Sequence, residues 1–283
     1  MVECKKLESN CGRATLAPYA CQALLGLKWQ PMPSVEILDR TELLEQMLAH
    51  LELDSTTTAM VTVDMHRGHL DPDIATMATP PETSRRVIAA AQDALEFARQ
   101  KSIPIIHVVL TYRKLPGIGS EGMTAPFWAA ISKITDAKNR LTLDRASTVN
   151  DHNLVGSRGT EIIPALLDPT DFVIDNKKRL DCFLGTDLDL LLRNLGIKSV
   201  CLMGINTNTC VLNTAFTAHN LNYRTVVLAD CVASMYGDDL HELGLQNIQR
   251  CLGWVVDNAT FKRKIEAGAA AAENGANRSR QAE

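Results

Sequence analysis

The stretch SVCLMGINTNTCVLNT, residues 199–214, decides the fold of this chain. Its apolar start ends at Gly204, and after a few small polar residues an apolar helical pattern begins at Cys210. This pattern predicts a strand, a tight loop and a helix. At a helix N-terminus, unpaired N–H groups and the helix dipole lower the pKa of a thiol and can stabilise an oxyanion. The alternative is that Cys210 is simply one more buried thiol.

The same alternation of short apolar runs and longer amphipathic runs continues on both sides of this stretch. Strands are predicted at 59–63, 103–110, 171–174, 199–203, 224–228 and 254–256, and helices at 81–100, 186–195, 210–221 and 238–252. Buried strands that alternate with helices indicate right-handed βαβ units. The predicted fold class is therefore α/β, a three-layer αβα arrangement with a doubly wound, mostly parallel sheet.

The two ends of the chain lie outside this repeating pattern. Residues 1–57 contain several prolines and one amphipathic helical pattern at 40–51, so they are interpreted as an N-terminal extension. Residues 58–266 form the predicted main domain. Residues 267–283 have no apolar periodicity and are rich in alanine, asparagine and charge, which predicts a disordered C-terminal tail.

Composition excludes several classes of function. The chain has 283 residues, 46% of them hydrophobic and 22% charged, with a formal net charge of −4 and no cluster of basic residues. Nucleic acid and membrane are therefore not expected as partners, and no apolar run approaches the roughly 20 residues of a membrane span. Eight cysteines without a CxxC pair, and no signal peptide pattern, favour reduced thiols in a cytoplasmic protein.

Three chemically active residues follow predicted strands. Asp64 ends the first strand, Lys177 follows the third and Cys210 follows the fourth. Because ligands bind at the carboxyl ends of parallel strands, the three side chains are expected in one crevice. A thiol, a cation and a carboxylate together suit covalent catalysis with an acid–base partner. Taken singly, Asp64 could instead cap a turn and Lys177 could be a surface lysine.

These residues lie in motifs that resemble a known family. The motifs are VTVDMHRGH (61–69), KKRLDCFLGTDLD (177–189), GINTNTCVLNTAFTA (204–218) and YRTVVLADCVA (223–233). Between residues 58 and 257 the chain is similar to the isochorismatase-like cysteine hydrolases, which include nicotinamidases, N-carbamoylsarcosine amidases and biuret hydrolases. The spacing of six residues to Phe183 selects Lys177 over Lys178 as the family's lysine.

The resemblance implies a mechanism and a site. Cys210 would be the nucleophile, Asp64 its base and Lys177 the third catalytic residue. The N–H groups of Asn206 and Cys210 would form the oxyanion hole, with the Ile205–Asn206 peptide bond in the cis form. The implied reaction is cleavage of a C–N bond in a small amide or ureide through a thioester, without a cofactor.

The chain departs from the family next to Asp64. His66 and His69 stand where many relatives have Gln and Phe, so they are candidates for substrate binding or, alternatively, for a metal site; no metal is predicted. Substrate binding is also predicted for Phe127, Trp128, Phe183 and Asn206. Phe127 and Trp128, which lie in the irregular section 111–159, could instead form a subunit contact.

Two other functions are alternatives to hydrolysis: a non-catalytic member of the fold and a redox-sensing protein. A non-catalytic member of the fold would be expected to lack part of the triad, and a redox sensor would need a resolving thiol such as Cys182, Cys201 or Cys231.

Apolar residues in the extension and the irregular section favour a homo-oligomer, with a tetramer preferred to a dimer. They are Leu24, Leu25, Leu27, Trp29, Phe127, Trp128 and Ile131.

Overall fold

A computed structural model describes residues 37–113, 126–131 and 152–281. Its centre is a six-stranded sheet whose neighbouring strands are all parallel, in the order β3-β2-β1-β4-β5-β6. The strands are β1 (Thr58–Val63), β2 (Ile105–Leu110), β3 (Phe172–Lys177), β4 (Ser199–Ile205), β5 (Arg224–Ala233) and β6 (Trp254–Val256). The predicted doubly wound α/β fold is confirmed.

Helices connect and cover the strands. They are α1 (Thr41–Ala49), α2 (Arg67–Leu70), α3 (Pro81–Gln100), α4 (Pro126–Ile131), α5 (Leu188–Asn194), α6 (Leu212–Asn220), α7 (Asp238–Cys251) and α8 (Asn258–Gln281). A π-helical turn, Thr207–Val211, precedes α6. In the parts of the chain that the structure describes, no helix is long and apolar enough to cross a membrane.

The sheet separates two hydrophobic cores. On one face, Met60 of β1 packs with residues of α3 and α8, such as Leu95 and Phe261. On the other face, the next residue, Val61, packs with residues of α5 and α6, such as Leu192. Consecutive side chains of a strand point to opposite faces, so a strand buried on both faces needs an unbroken apolar run. The sequence of β1 has this property, and all six of its residues are buried.

The ends of the chain differ in part from their predicted boundaries. Contacts divide the chain into two units, residues 1–46 and 47–283. Leu51 and Leu53 belong to the core of the second unit, so that unit includes residues before the predicted start at 58.

At the other end, α8 includes most of the stretch 267–283, for which a disordered tail was expected. Gly268 of α8 packs so closely on the backbone of Leu53 that a Cβ there would overlap the carbonyl oxygen. The alanines that broke the apolar pattern are also the strongest helix formers.

Candidate active site

Asp64 begins the site, directly after β1. It is fully buried and has a positive φ of 55°, so the chain turns sharply as it leaves the sheet. Its backbone N–H donates to the carbonyl oxygen of Val108 at 2.9 Å. The N–H of Leu110 donates to the carboxylate oxygen Oδ1 at 2.8 Å. The neighbouring strand β2 thus fixes both the backbone and one oxygen of Asp64, and leaves Oδ2 for another partner.

Lys177 is that partner. It is the last residue of β3 and is fully buried. Its Nζ lies 2.5 Å from Asp64 Oδ2 and 3.4 Å from Cys210 Sγ. Burial alone would lower the pKa of Lys177, but its surroundings, above all the charge and the hydrogen bond of Asp64, outweigh burial and raise the pKa. Lys177 therefore stays charged at the centre of the three groups.

Lys178 takes a different position. It is partly exposed, and its Nζ donates to Thr111 Oγ1 at 2.7 Å. The spacing to Phe183 therefore identified the lysine that lies beside Asp64 and Cys210.

Cys210 lies in the π-helical turn that follows β4, rather than at the first residue of an α-helix. Burial raises the pKa of the Cys210 thiol to about 12, although Lys177 acts in the opposite direction. The prediction that the helix N-terminus lowers this pKa is therefore wrong. Cys210 is only 3% exposed, and the cost of an anion in an apolar environment exceeds the effect of the nearby dipole and cation. The resting thiol is protonated and needs a base.

The strand order explains why these residues meet. β1 and β4 are neighbours at the point where the order of strands reverses, and α/β proteins bind ligands beyond the carboxyl ends of strands at this switch point. Asp64 follows β1, and Asn206 and Cys210 follow β4. Lys177 reaches the same point from β3, two strands away, through its long side chain.

Asn206 shapes the loop before Cys210. The Ile205–Asn206 peptide bond is cis, as the family resemblance implied. The Asn206 carbonyl oxygen accepts hydrogen bonds from the N–H groups of Thr209 and Val211, both at 3.1 Å. Its side-chain oxygen accepts from the N–H of Met235 at 2.9 Å. Asn206 is 2% exposed, so these bonds hold its peptide plane beside Cys210.

His66 and His69 lie beside this crevice with a third histidine, His152. The three rings are packed in sequence: His66 and His69 have centroids 4.7 Å apart, and His69 and His152 have centroids 4.8 Å apart. All three are buried. Burial is the largest cause that lowers their pKa values, and for His66 and His152 the values lie well below the usual one. The positive charge of Lys177 acts in the same direction on each ring, so this histidine cluster is neutral.

Each ring of the histidine cluster has one anchored nitrogen. His69 Nδ1 donates to the carbonyl oxygen of Met77 at 2.9 Å, while His152 Nδ1 lies 2.8 Å from Thr76 Oγ1. His66 Nε2 lies 2.8 Å from Asn153 Nδ2. Among the described residues, no group of three His, Cys, Asp or Glu side chains has a geometry that could hold a metal ion. The histidine cluster thus has fixed ring orientations without forming a metal site there.

Comparisons with known proteins identify the family of this chain. The family model for the Isochorismatase domain matches residues 58–260. The chain belongs to the isochorismatase family. It is 28% identical over 222 residues to the ureidoacrylate amidohydrolase RutB of Methylobacterium radiotolerans, which covers 76% of this chain and 82% of the relative. It is 29% identical over 224 residues to the same enzyme from Methylorubrum extorquens, covering 76% and 85%.

Solved structures show the same fold. A cysteine hydrolase from Pseudomonas syringae pv. phaseolicola superposes with a TM-score of 0.65 at 21% identity, covering 77% of this chain and 97% of that one. N-carbamoylsarcosine amidase from Thermoplasma acidophilum gives a TM-score of 0.52 at 24% identity, covering 71% and 96%. The predicted resemblance to the family is confirmed.

Three aromatic residues, Phe127, Trp128 and Phe183, were predicted from the sequence to bind substrate. Phe183 is buried in the core, and its ring stacks on Tyr223 with centroids 6.0 Å apart. The residue that marks the family's lysine is thus a core residue, in the same hydrophobic core as Cys210. Phe127 and Trp128 contact each other on α4, and Phe127 is 69% exposed. Residues 114–125 and 132–151 on either side of α4 lie outside the described residues.

Three residues near the site were missed by sequence reasoning. His152 follows a long section without a periodic pattern, so no sequence signal pointed to it. Tyr112 and Tyr236 are different, because they follow β2 and β5 in the chain. The rule that selected Asp64 and Cys210, namely position after the carboxyl end of a strand, could have found both tyrosines as well.

Proposed function

We propose that this protein hydrolyses a C–N bond of a small amide or ureide through a thioester on Cys210. The observation that carries the proposal is the buried contact of Lys177 Nζ with both Asp64 Oδ2, at 2.5 Å, and Cys210 Sγ, at 3.4 Å. A protonated thiol, a carboxylate and a fixed cation are the groups that nucleophilic catalysis requires. Their burial strengthens each electrostatic interaction among them.

The broader class of reaction was predicted from the sequence. It is hydrolysis of a C–N bond other than a peptide bond, and family membership and two relatives named amidohydrolases bear it out. Because those relatives are named for a ureide, ureidoacrylate, we favour a ureido group over a simple carboxamide as the substrate of this chain.

The first half of the mechanism forms the thioester. Asp64 accepts the proton of the Cys210 thiol, and the sulfur attacks the carbonyl carbon of the substrate. The C–N bond then breaks, and Asp64 gives the proton to the leaving nitrogen. Since burial raises the pKa of Cys210 to about 12, proton transfer must accompany the approach of substrate.

The second half regenerates the enzyme. Asp64 removes a proton from water, the hydroxide oxygen attacks the thioester carbon, and the C–S bond breaks. The sulfur leaves with its electron pair and takes back the proton from Asp64. Lys177 stays protonated throughout, stabilises the carboxylate and the thiolate in turn, and holds Asp64 in place.

The oxyanion of each tetrahedral intermediate is assigned to the N–H groups of Asn206 and Cys210. Support comes from the loop between them, which is anchored through the carbonyl and the side chain of Asn206. Fixed N–H donors at such a position stabilise the developing charge without reorganisation, and one donor is worth about 2.7 to 4 kcal/mol. The mechanism uses no metal.

The redox-sensing alternative has less support. Cys201 and Cys231 belong to the core on the α3 face of the sheet, whereas Cys210 belongs to the core on the opposite face. Only Cys182 of the three candidates shares the core of Cys210, and burial strongly raises its pKa, which disfavours a reactive thiolate. The non-catalytic alternative has less support too, because all three catalytic side chains are present and in contact.

The test of the proposed function is a panel of small amides and ureides with ammonia release as the readout. We expect Cys210→Ala to lose at least a thousandfold in kcat/KM and to keep its folded far-UV signal, because no other group can form the thioester. Cys201→Ala, a matched change on the other face of the sheet, should remain active. Turnover of Cys210→Ala at the wild-type rate would disprove the mechanism.

A further inference from the structure

The turn that carries Cys210, called here the nucleophile turn, is bonded through side chains to the part of the chain that follows β5. Asn206, directly before the turn, accepts a hydrogen bond at Oδ1 from the N–H of Met235 at 2.9 Å. Within the turn, Asn208 Oδ1 accepts a hydrogen bond from Ser234 Oγ at 2.8 Å. Both bonds join the nucleophile turn to the loop between β5 and α7.

Thr207, between these two asparagines, bonds to a helix instead. Its Oγ1 lies 2.8 Å from Nδ1 of His241, which is in the first turn of α7. Thr207 is fully buried and His241 is partly buried. A Cβ on Gly244, three residues further along α7, would lie 3.1 Å from backbone atoms of Thr207 and Asn208. The hydrogen bond therefore lies within a close-packed contact of helix and turn.

The bond of His241 to Thr207 joins two neutral groups. Burial lowers the pKa of His241, and Arg86 acts in the same direction, whereas Glu242 and Asp238 act in the opposite one. The ring is therefore neutral at pH 7 and brings no charge to the nucleophile turn. A hydroxyl both donates and accepts, so Thr207 can bond to either tautomer of the ring. What the bond fixes is the position of the turn.

The position of Thr207 bears directly on Cys210. The Thr207 carbonyl oxygen accepts a hydrogen bond from the N–H of Leu212, the first residue of α6, and Cys210 lies between these two residues in the chain. A displacement of Thr207 is thus transmitted to Cys210 through the closed turn. It would alter the distance of 3.4 Å between Cys210 Sγ and Lys177 Nζ.

We propose that His241 is a positioning residue, which acts through Thr207 to set the place of the Cys210 sulfur relative to Lys177 and to the carbonyl carbon under attack. The inference rests on the proposed function and adds to it a residue outside the triad. Catalysis depends steeply on such placement, since a misplacement of about 1 Å can cost about a hundredfold in rate. Neither His241 nor Thr207 is assigned to the substrate, so the loss belongs in kcat rather than in KM.

Three variants test the bond. Thr207→Val removes the hydroxyl at nearly constant shape, His241→Leu removes the ring nitrogens, and His241→Asn keeps a polar atom near the place of Nδ1. We expect the first two each to lower kcat about three- to tenfold with KM nearly unchanged, since one hydrogen bond is lost. The double variant Thr207→Val with His241→Leu should be no slower than either single one, because both remove the same bond. His241→Asn should recover most of the wild-type kcat.

A matched control removes a threonine hydroxyl from the neighbouring helix. Thr217 on α6 donates from Oγ1 to Asp181 Oδ2 at 2.9 Å. Thr217→Val also loses one hydrogen bond and should lower Tm without lowering kcat. An equal loss of kcat in Thr217→Val and Thr207→Val would overturn the inference, because the rate would then follow stability alone.

A second readout separates this inference from the proposed function. Iodoacetamide alkylates Cys210 whether or not the protein hydrolyses an amide, and the exposed Cys251 is the internal reference. We expect Cys210 of Thr207→Val to be alkylated about three- to tenfold more slowly than in the wild type, because the sulfur moves away from the cation that stabilises its thiolate. His241→Asn should resemble the wild type. This pattern without hydrolysis by the wild type would refute the proposed function but support the positioning role. Wild-type alkylation of Cys210 in Thr207→Val would overturn the inference.

Discussion

Lys177 connects the two other members of the triad. A charged lysine without solvent contact is costly to bury, and here the cost is offset by an anion at hydrogen-bond distance. The same contact offsets the cost of burying the Asp64 carboxylate, which therefore depends equally on Lys177. At the scale of single residues, therefore, the proposed catalysis and the stability of the fold depend on one interaction.

Replacing Lys177 by methionine tests this dependence. The change keeps the length of the side chain but leaves Asp64 buried without its cation, so we expect the free energy of unfolding to fall by about 3 to 5 kcal/mol. We also expect hydrolysis to be lost. Denaturant unfolding and ammonia release measure the two effects. Lys178→Met is the control, and a Lys177→Met protein with wild-type stability would contradict this account of the pair.

At the scale of elements, the sequence predicted most of the sheet because fully buried strands are continuous apolar runs. It identified β6 at 254–256 and α3 at 81–100 with the bounds that the structure has. It ended β3 too early, because Asp175 and Asn176 are polar although they continue the strand. It also expected an α-helix at Cys210, since a π-helical turn differs from an α-helical one in backbone hydrogen bonding and not in apolar period.

The candidate site also contains residues that the sequence could predict and residues that it could not. Asp64, Lys177 and Cys210 could be predicted because strand ends and family motifs mark them. His152 could not, since it reaches His69 from a section without any local pattern, and contacts of that kind depend on the tertiary fold. The raised pKa of Cys210 was missed for a related reason: sequence indicates helix termini but not the degree of burial.

The packing of α7 on the nucleophile turn gives an element-scale prediction. A Cβ at Gly244 would lie 3.1 Å from backbone atoms of Asn208 and Thr207. Gly244→Ala should therefore displace the turn that carries Cys210 by a few tenths of an ångström, while the gain in helix propensity, about 0.5 to 1 kcal/mol, limits the loss of stability. We expect kcat to fall several-fold with little change in Tm. A variant with unchanged kcat would show that α7 does not position the turn.

At the scale of the whole molecule, buried neutral histidines govern the response to acid. Besides the histidine cluster, His107 is buried, with Nδ1 2.7 Å from Thr62 Oγ1 and Nε2 3.1 Å from Asp171 Oδ2. Burial lowers the pKa of His107, although Asp171 acts in the opposite direction. The folded protein therefore binds fewer protons at these rings than the unfolded chain does.

Acid is expected to lower the stability of the folded protein. The unfolded histidines, with a pKa of about 6.5, take up protons below that pH, while the folded ones remain neutral, so stability falls as pH falls. Each ring contributes up to about 1.4 kcal/mol per pH unit until its folded pKa is reached. Urea midpoints should be clearly lower at pH 5.5 than at pH 7.5. A midpoint that is constant or higher at pH 5.5 would show that the rings are already protonated in the folded state.

The assembly state remains a prediction at this scale. The residues 1–36 that motivated it, together with most of the irregular section, lie outside the described residues. We expect a homo-oligomer, with a tetramer favoured, in light scattering at micromolar concentration. Removal of residues 1–36 should lower the assembly state and raise KM without affecting alkylation of Cys210. A fully active full-length monomer would refute the prediction.

The position of β1 has a consequence for the order in which activity is acquired. β1 lies in the middle of the sheet, but its partner β4 is translated after both β2 and β3. During synthesis, Asp64 and Lys177 are added before Cys210, and one side of β1 stays unpaired until β4 follows. Cys210 is thus added last of the three, in the turn directly after the strand that completes the centre of the sheet. A chain that ends before Cys210 holds Asp64 and Lys177 without that thiol, so it cannot form the thioester of the proposed mechanism.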